Sequence, residues 1–317
     1  MSRSGDTPQR PSLEEVRAVA GGNPVAPAHD AVTPPVSLRE LCARHKIRFK
    51  KGLGQNLLLD DNINRIMVDA ADLMGAEDVI EVGAGLGALT RRLAERAGRL
   101  LAIEIDASFM PCLEEQFGRL AHVRLFRGDV LNHSLPRLLE EYLPGGSNFK
   151  MVSNLPYYIT TPVLFHFLES PVFFSSIVVM MQEEVGHRLV ASVGAEDYGI
   201  LGIAARSCAE VDIVHKVPAS CFLPRPKVDS CIVRLRCPCP PPVPAGERPF
   251  LMKMVRAAFS QRRKTLRNSL TKSGAFGAPA AAVLSGMEAA GIDPGRRPQT
   301  LALEEFVRLA SEIRDRL

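Results

Sequence analysis

No stretch of this chain is apolar for long enough to suggest a membrane span, and its polar, proline-bearing amino terminus lacks the apolar core of a secretory signal. The expectation is a soluble, cytoplasmic protein with no membrane partner. Seven cysteines, odd in number and scattered, do not make a disulfide framework and suit a reducing compartment. Nor do they make a metal site. Cys237 and Cys239, with Cys231 nearby, stand in a Cys-Pro-Cys-Pro-Pro-Pro context without the second pair that a four-ligand zinc site requires. His133, His166, His187 and His215 have no ligand-like spacing. There is no nucleophile triad and no internal repeat. Acid is missing locally: between Glu247 and Glu288 there is no Asp or Glu, while Arg248, Lys253, Arg256, Arg262, Arg263, Lys264, Arg267 and Lys272 all fall there. A net charge of only +4 hides this patch, and a shorter acid-free run spans Arg44 to Lys51. Such stretches can neutralise phosphates, although a solvated basic helix face has the same composition.

With 317 residues and 46% hydrophobic content, the chain can bury one large domain and a smaller one. Residues 1–36, rich in Pro, Gly, Ala and Ser, read as a flexible extension. An amphipathic stretch at Leu38 to His45 and a helix from Asp61 to Leu73 follow. Apolar runs at Val79–Val82, Leu100–Ile105, Val123–Phe126, Lys150–Ser153 and Ser176–Met181 have strand length and alternate with helical patterns. That alternation predicts an α/β fold, a parallel sheet covered on both faces. Strands at Val211–Val217 and Val228–Leu235, close together in sequence, fit an antiparallel edge. The boundaries expected are a main domain over 37–236, a proline-rich linker over 237–246 and a helical domain over 247–317.

After the first strand comes Glu81-Val82-Gly83-Ala84-Gly85-Leu86-Gly87. Its glycines permit a sharp strand-to-helix turn and a close approach of backbone amides to a nucleotide-like ligand. The dinucleotide fingerprint has Gly-x-Gly-x-x-Gly or Ala, and Ala88 stands at its last position, so the turn alone leaves NAD and a dehydrogenase open. Glu104, at the end of the second strand, can accept two ribose hydroxyls. Asp129, after the third, can accept an adenine amino group or simply cap a turn. Asn154-Leu155-Pro156-Tyr157 then offers amide and carbonyl acceptors beside an aromatic ring. A glycine turn and an acceptor-rich aromatic motif, in that order within one α/β pattern, suggest methyl transfer to a base nitrogen. Tyr157 and Phe222 could stack on the two faces of an extruded base, although Phe222 could equally be core. Arg262, Arg263, Lys264 and Arg267 could line one RNA-facing helix, with Arg263 and Arg267 a turn apart.

Taken together these segments resemble the ribosomal RNA adenine dimethyltransferase family, in its KsgA/RsmA type that acts on small-subunit rRNA. The matching blocks are Gly54-Gln55-Asn56 with Asp60, Glu81 to Thr90, Glu104-Ile105-Asp106, Gly128-Asp129, Asn154 to Tyr157, Phe222 to Ser230 and Gln261 to Lys264; similarity runs from about Leu38 to the carboxyl terminus. The resemblance implies a Rossmann-like class I methyltransferase sheet with a smaller helical C-terminal domain. It implies S-adenosylmethionine as methyl donor, at or near Gln55, Asn56, Leu57, Glu81, Gly83, Gly85, Glu104, Asp129 and Asn154. Its target would be two neighbouring adenosines in the 3′-terminal hairpin loop of 16S rRNA, the small ribosomal subunit being the partner of a monomeric enzyme. Leu57 and Tyr158 depart from the family's frequent Phe and Asn. Two alternatives remain: a large-subunit rRNA adenine methylase of the antibiotic-resistance type, and a non-catalytic RNA-binding assembly or transcription factor on the same fold.

Overall fold

The structure, a computed structural model, describes residues 38–47, 56–277 and 279–317. The amino-terminal extension, most of the basic run up to Lys51, and Gln55 lie outside the described residues. Nine strands are present among the described residues: β1 (Leu57–Leu58), β2 (Asp78–Val82), β3 (Arg99–Glu104), β4 (Val123–Arg127), β5 (Phe149–Asn154), β6 (Phe174–Gln182), β7 (Glu210–Val217), β8 (Phe222–Leu223) and β9 (Ser230–Arg236). Seven of them form one sheet in the order β4-β3-β2-β5-β6-β9-β7, and β1 pairs with β8 in a small sheet of its own.

The five strands from β4 to β6 are parallel. Their residues are apolar in succession because both faces are covered. Leu100 and Ala102 point into one buried cluster with Ile63, Leu93 and Phe117, whereas Leu101 and Ile103 point into another with Leu138, Leu164 and Phe167. The two later strands form the expected antiparallel edge, though not in chain order. Strand β9 is antiparallel but lies inside the sheet, between β6 and β7. Burial explains this: Ser230 to Val233 of β9 are fully buried, whereas β7 carries Glu210, His215 and Lys216 to the surface and takes the edge.

Helices α1 (Leu38–Arg44), α2 (Asp61–Ala70), α3 (Ala88–Ala94), α4 (Met110–Phe117), α5 (Leu135–Tyr142) and α6 (Thr160–Leu168) precede α7 (Glu183–Val190) and α8 (Ile200–Arg206). Helix α7 has no counterpart among the elements expected from the sequence. Gly186 sits in its middle, a poor helix former, yet a Cβ there would come within 2.3 Å of Cys231 Sγ on β9, so close packing requires the residue that hides the helix. After the proline-rich stretch come α9 (Arg248–Phe259), α10 (Leu266–Lys272), α11 (Ala280–Ala289) and α12 (Leu303–Arg314), with Gly274, Gly277 and Pro279 between α10 and α11, and Gly291, Pro294 and Pro298 between α11 and α12. These helices share the larger core cluster with the sheet through Phe259, Leu270, Met287 and Phe306. Tyr198, buried beside α8, donates its hydroxyl to Leu301 O at 2.8 Å. The proline-rich stretch is itself packed, since Val243 is buried and its amide donates to Ser207 O at 3.0 Å.

Chain order reverses at β2. From there the sheet runs to β3 on one side and to β5 on the other, so the carboxyl ends of β2 and β5 flank the crevice where this fold class accepts ligands.

Candidate active site

Two motifs some 70 residues apart in sequence meet at that crevice because β2 and β5 are neighbours, in register from Asp78↔Phe149 to Ile80↔Met151. Beyond Ile80 the Val82 amide donates instead to Ser153 Oγ at 2.9 Å, so the hydroxyl completes the ladder as the two strands reach the crevice. The result is a cleft of about 280 Å³.

The glycine turn forms its floor. Gly83, Gly85 and Gly87 have φ of 80°, 58° and 86°, a region that side chains with a Cβ rarely adopt. A Cβ on Gly87 would also lie 2.5 Å from the Phe117 ring. Glu104, buried at the end of β3, lines the cleft and is held on both oxygens: Gly85 N donates to Oε2 and Asp106 N to Oε1, each at 2.7 Å. Each oxygen keeps a further lone pair for a ligand. Burial pushes the Glu104 carboxyl above its ordinary pKa, against the lowering effect of those two amides. Glu81, 1% exposed on β2, is pushed up to about 8 by burial, with the neighbouring Glu104 charge adding to the effect. The Thr90 hydroxyl and amide beside it act in the opposite direction. Asp129 lines the cleft and also caps a turn, accepting Leu131 N at 3.0 Å and Asn132 Nδ2 at 3.3 Å. The cap and the ligand-facing role are compatible on one carboxylate.

Asn154 ends β5 facing the same cleft, followed by Leu155, Pro156 and Tyr157. A Cβ on Gly83 would stand 3.4 Å from the Pro156 ring, an ordinary contact, so the two motifs touch here and it is the positive φ that calls for glycine. Tyr157 is fixed by a 2.7 Å hydrogen bond between its hydroxyl and Ser230 Oγ, at the start of β9. Phe222 is 3% exposed, belongs to the core cluster over α2 and α3, and lines the cleft as well. Pairing of Leu58 with Phe222 and of Leu57 with Leu223 brings the amino-terminal segment Asn56–Leu58 to the cleft wall.

A family model described as ribosomal RNA adenine dimethylase matches residues 46–315. The chain belongs to this family. Ribosomal RNA small subunit methyltransferase A of Pelotomaculum thermopropionicum is 43% identical over 289 residues, covering 90% of this chain and 98% of that protein. The protein of the same name from Moorella thermoacetica is 41% identical over 288 residues, with 90% and 99% covered. In shape, the chain resembles a dimethyladenosine transferase from Plasmodium falciparum, with a TM-score of 0.69 and 24% identity over 82% of this chain and 98% of that one. It also resembles the 23S rRNA methyltransferase ErmE, with a TM-score of 0.59 and 26% identity over 81% and 99%.

This adenine dimethylase is an S-adenosylmethionine-dependent enzyme acting on ribosomal RNA. The cleft suits that donor. Its floor is bare backbone, Glu104 turns spare lone pairs toward it, and Ile105, 45% exposed, offers an apolar face at its rim. The NAD reading of the glycine turn falls with the family assignment.

The basic segment of the dimethylase differs from expectation. Arg262, Arg263 and Lys264 do not share a helix with Arg267. They occupy the turn after α9, and only Arg267 lies on α10, whose start is set by the Thr265 cap. Arg262 donates to Glu196 O and Tyr198 O, a structural attachment, whereas Arg263, Lys264 and Arg267 are exposed and have no acidic partner among the described residues. None of the four lines the cleft.

Sequence reasoning passed over Asn64 and Phe109, which line the cleft, and noted Tyr158, which lines it too, only as a departure from the family. Asn64 had a readable signal: it is 2% exposed, a polar residue on the apolar Ile63/Met67 face of α2. Phe109 and Leu86 also pack with Leu41 of α1, so that helix braces one wall. Arg44 and His45 tie it to Glu115 of α4. Among the described residues no group of acids, histidines and cysteines is arranged to hold a metal ion, and no helix is long and apolar enough to cross a membrane.

Proposed function

We propose that this enzyme dimethylates N6 of two adjacent adenosines in the 3′-terminal hairpin loop of 16S rRNA, four methyl transfers in all, as a step in small-subunit maturation. The observation that carries the reading is the convergence of Asn154, Tyr157 and Phe222 on one cleft with Glu104 and the glycine turn. The relatives matched over nine-tenths of the chain bear the name small subunit methyltransferase.

The donor, S-adenosylmethionine, supplies an electrophilic methyl group on a sulfonium. Gln55, Asn56, Leu57, Glu81, Gly83, Gly85, Glu104, Asp129 and Asn154 hold it, Glu104 through its ribose and Asp129 through its adenine. The adenine amino lone pair is delocalised into the ring, so it must be redirected before it can attack. Asn154 Oδ1 and the Leu155 carbonyl accept the two amino hydrogens, favour a pyramidal nitrogen and aim its lone pair. Pro156 stiffens those acceptors. Tyr157 and Phe222 stack on the extruded base, worth roughly 1–3 kcal/mol per base, comparable with the cost of unstacking a loop nucleotide. Arg263, Lys264 and Arg267 belong to the RNA-binding side, with Arg262 anchoring the turn that carries them, on a helical domain over 247–317 that follows a methyltransferase domain over 37–236. The enzyme works as a cytoplasmic monomer.

The test is methyl incorporation from labelled donor into undermethylated small subunits and, in parallel, into undermethylated large subunits. Four methyl groups per 16S rRNA and none in 23S rRNA support the reading. Incorporation into 23S rRNA alone selects the antibiotic-resistance type, and none into either selects a binding factor.

A further inference from the structure

Phe222 and Ser230 both touch the base pocket, the first by lining it and the second by holding the Tyr157 hydroxyl at 2.7 Å. The loop between them is anchored at both ends. At one end Leu223 pairs with Leu57, and Leu59 N donates to Cys221 O at 2.8 Å. At the other, Asp229 Oδ1 accepts Ala219 N at 2.8 Å and Asp229 O accepts Glu183 N at 3.1 Å. Pro224 and Pro226 fix two backbone torsions in between. The loop is thus stiff, yet its side chains face outward.

Arg225 and Lys227 are exposed and make no hydrogen bond or ion pair with any described residue. The nearest acid in sequence, Asp229, already has one oxygen committed to Ala219 N. Beside the two cations Leu223 is 56% and Val228 46% exposed. Arg225 is three residues from Phe222, no farther than about 11 Å along the chain. Two unpaired cations interleaved with exposed aliphatic groups, on a stiff loop at the mouth of a base pocket, match the alternation of phosphate and base along an unpaired RNA strand.

We propose that the Leu223–Val228 loop is a docking surface for the single-stranded RNA flanking the target adenosine, with Arg225 and Lys227 taking the adjacent phosphates and Leu223 packing on the neighbouring base. The proposal rests on the function given above, and it makes RNA engagement and pocket alignment one event, since the same loop carries Phe222 and Ser230. It differs from the Arg263/Arg267 surface in acting next to the reacting base.

The experiment compares wild type with Arg225→Gln/Lys227→Gln, using undermethylated small subunits and, separately, a short unpaired adenosine-containing RNA. Calorimetry with S-adenosylmethionine and thermal melting check donor binding and folding. The proposal expects the KM for small subunits to rise about tenfold or more with donor affinity and Tm unchanged. It also expects the slope of log affinity against log salt for the short RNA to fall by about 1.4, some 0.7 for each phosphate no longer neutralised. Arg225→Lys should keep the slope. A folded double variant with wild-type KM and slope overturns the proposal, and so does an effect confined to Tm or donor affinity, which marks a structural role. If wild type fails to methylate 16S rRNA, the function reading falls, while the short-RNA salt slope still decides the docking surface.

Discussion

The Gly85 amide donates to Glu104 Oε2 at 2.7 Å, which makes the turn after β2 and the acid ending β3 a single unit. Removing the carboxylate therefore takes away the ribose acceptor and frees the turn. Glu104→Ala should weaken S-adenosylmethionine binding by about 10- to 100-fold, the range of a charge-assisted hydrogen bond or two. RNA affinity should change less than twofold. Calorimetric titration checks this, and unchanged donor affinity would return Glu104 to a purely structural role.

Glu81 makes stability depend on pH. Its carboxyl titrates near 8 in the folded chain against an ordinary value of 4.5. Between those values the folded state holds a proton that the unfolded state has released, so this group's contribution to stability falls as pH rises through that window and levels off above it. Glu81→Gln mimics the neutral acid and should abolish the fall. Donor-free protein should show similar Tm for mutant and wild type at pH 5. At pH 8 the mutant should be more stable, by roughly 2–5 kcal/mol as an upper range at about 1.4 kcal/mol per unit. Parallel Tm curves across that range would contradict it.

Asn154 carries the proposed alignment of the amino group. Asn154→Ala should fold normally, bind RNA within a few-fold of wild type and lose at least about a hundredfold in single-turnover methyl transfer, roughly 2.7 kcal/mol. Near-normal transfer by the folded variant would remove Asn154 from the chemistry.

The basic turn predicts a division of labour. Arg262, held by two backbone carbonyls, is structural, so Arg262→Gln should lower Tm. Arg263→Gln/Arg267→Gln should leave Tm alone, weaken small-subunit binding and reduce the salt slope by roughly one unit per phosphate contact. Affinity measured across several salt concentrations separates the two behaviours.

Much of this was legible in the chain because the chemistry is local. Val79–Val82 and Leu100–Ile103 announce strands buried on both faces, and Gly83, Gly85 and Gly87 announce a turn that only glycine makes comfortably. Glu104, Asp129 and Asn154 converge as their order suggested, since a parallel sheet delivers successive strand ends to one edge, whereas Phe222 arrives through its antiparallel pairing with Leu58. What was not legible depends on packing across the sequence. Nothing near Ser230–Arg236 says that it inserts between two earlier strands, and Gly186 conceals α7 for the sake of Cys231. The basic run looks helical by composition, but Thr265 restarts the helix after a turn. Ser230 gave no sign of holding Tyr157, because that hydrogen bond joins residues 73 apart.

The most direct test of the account is mass-spectrometric mapping of nuclease fragments from undermethylated small subunits after incubation with the enzyme and S-adenosylmethionine. The account predicts two adjacent N6,N6-dimethyladenosines in the 3′-terminal hairpin loop of 16S rRNA and no new methylation elsewhere. Methyl groups on another base, on another atom of adenine, or on no nucleotide at all would contradict it.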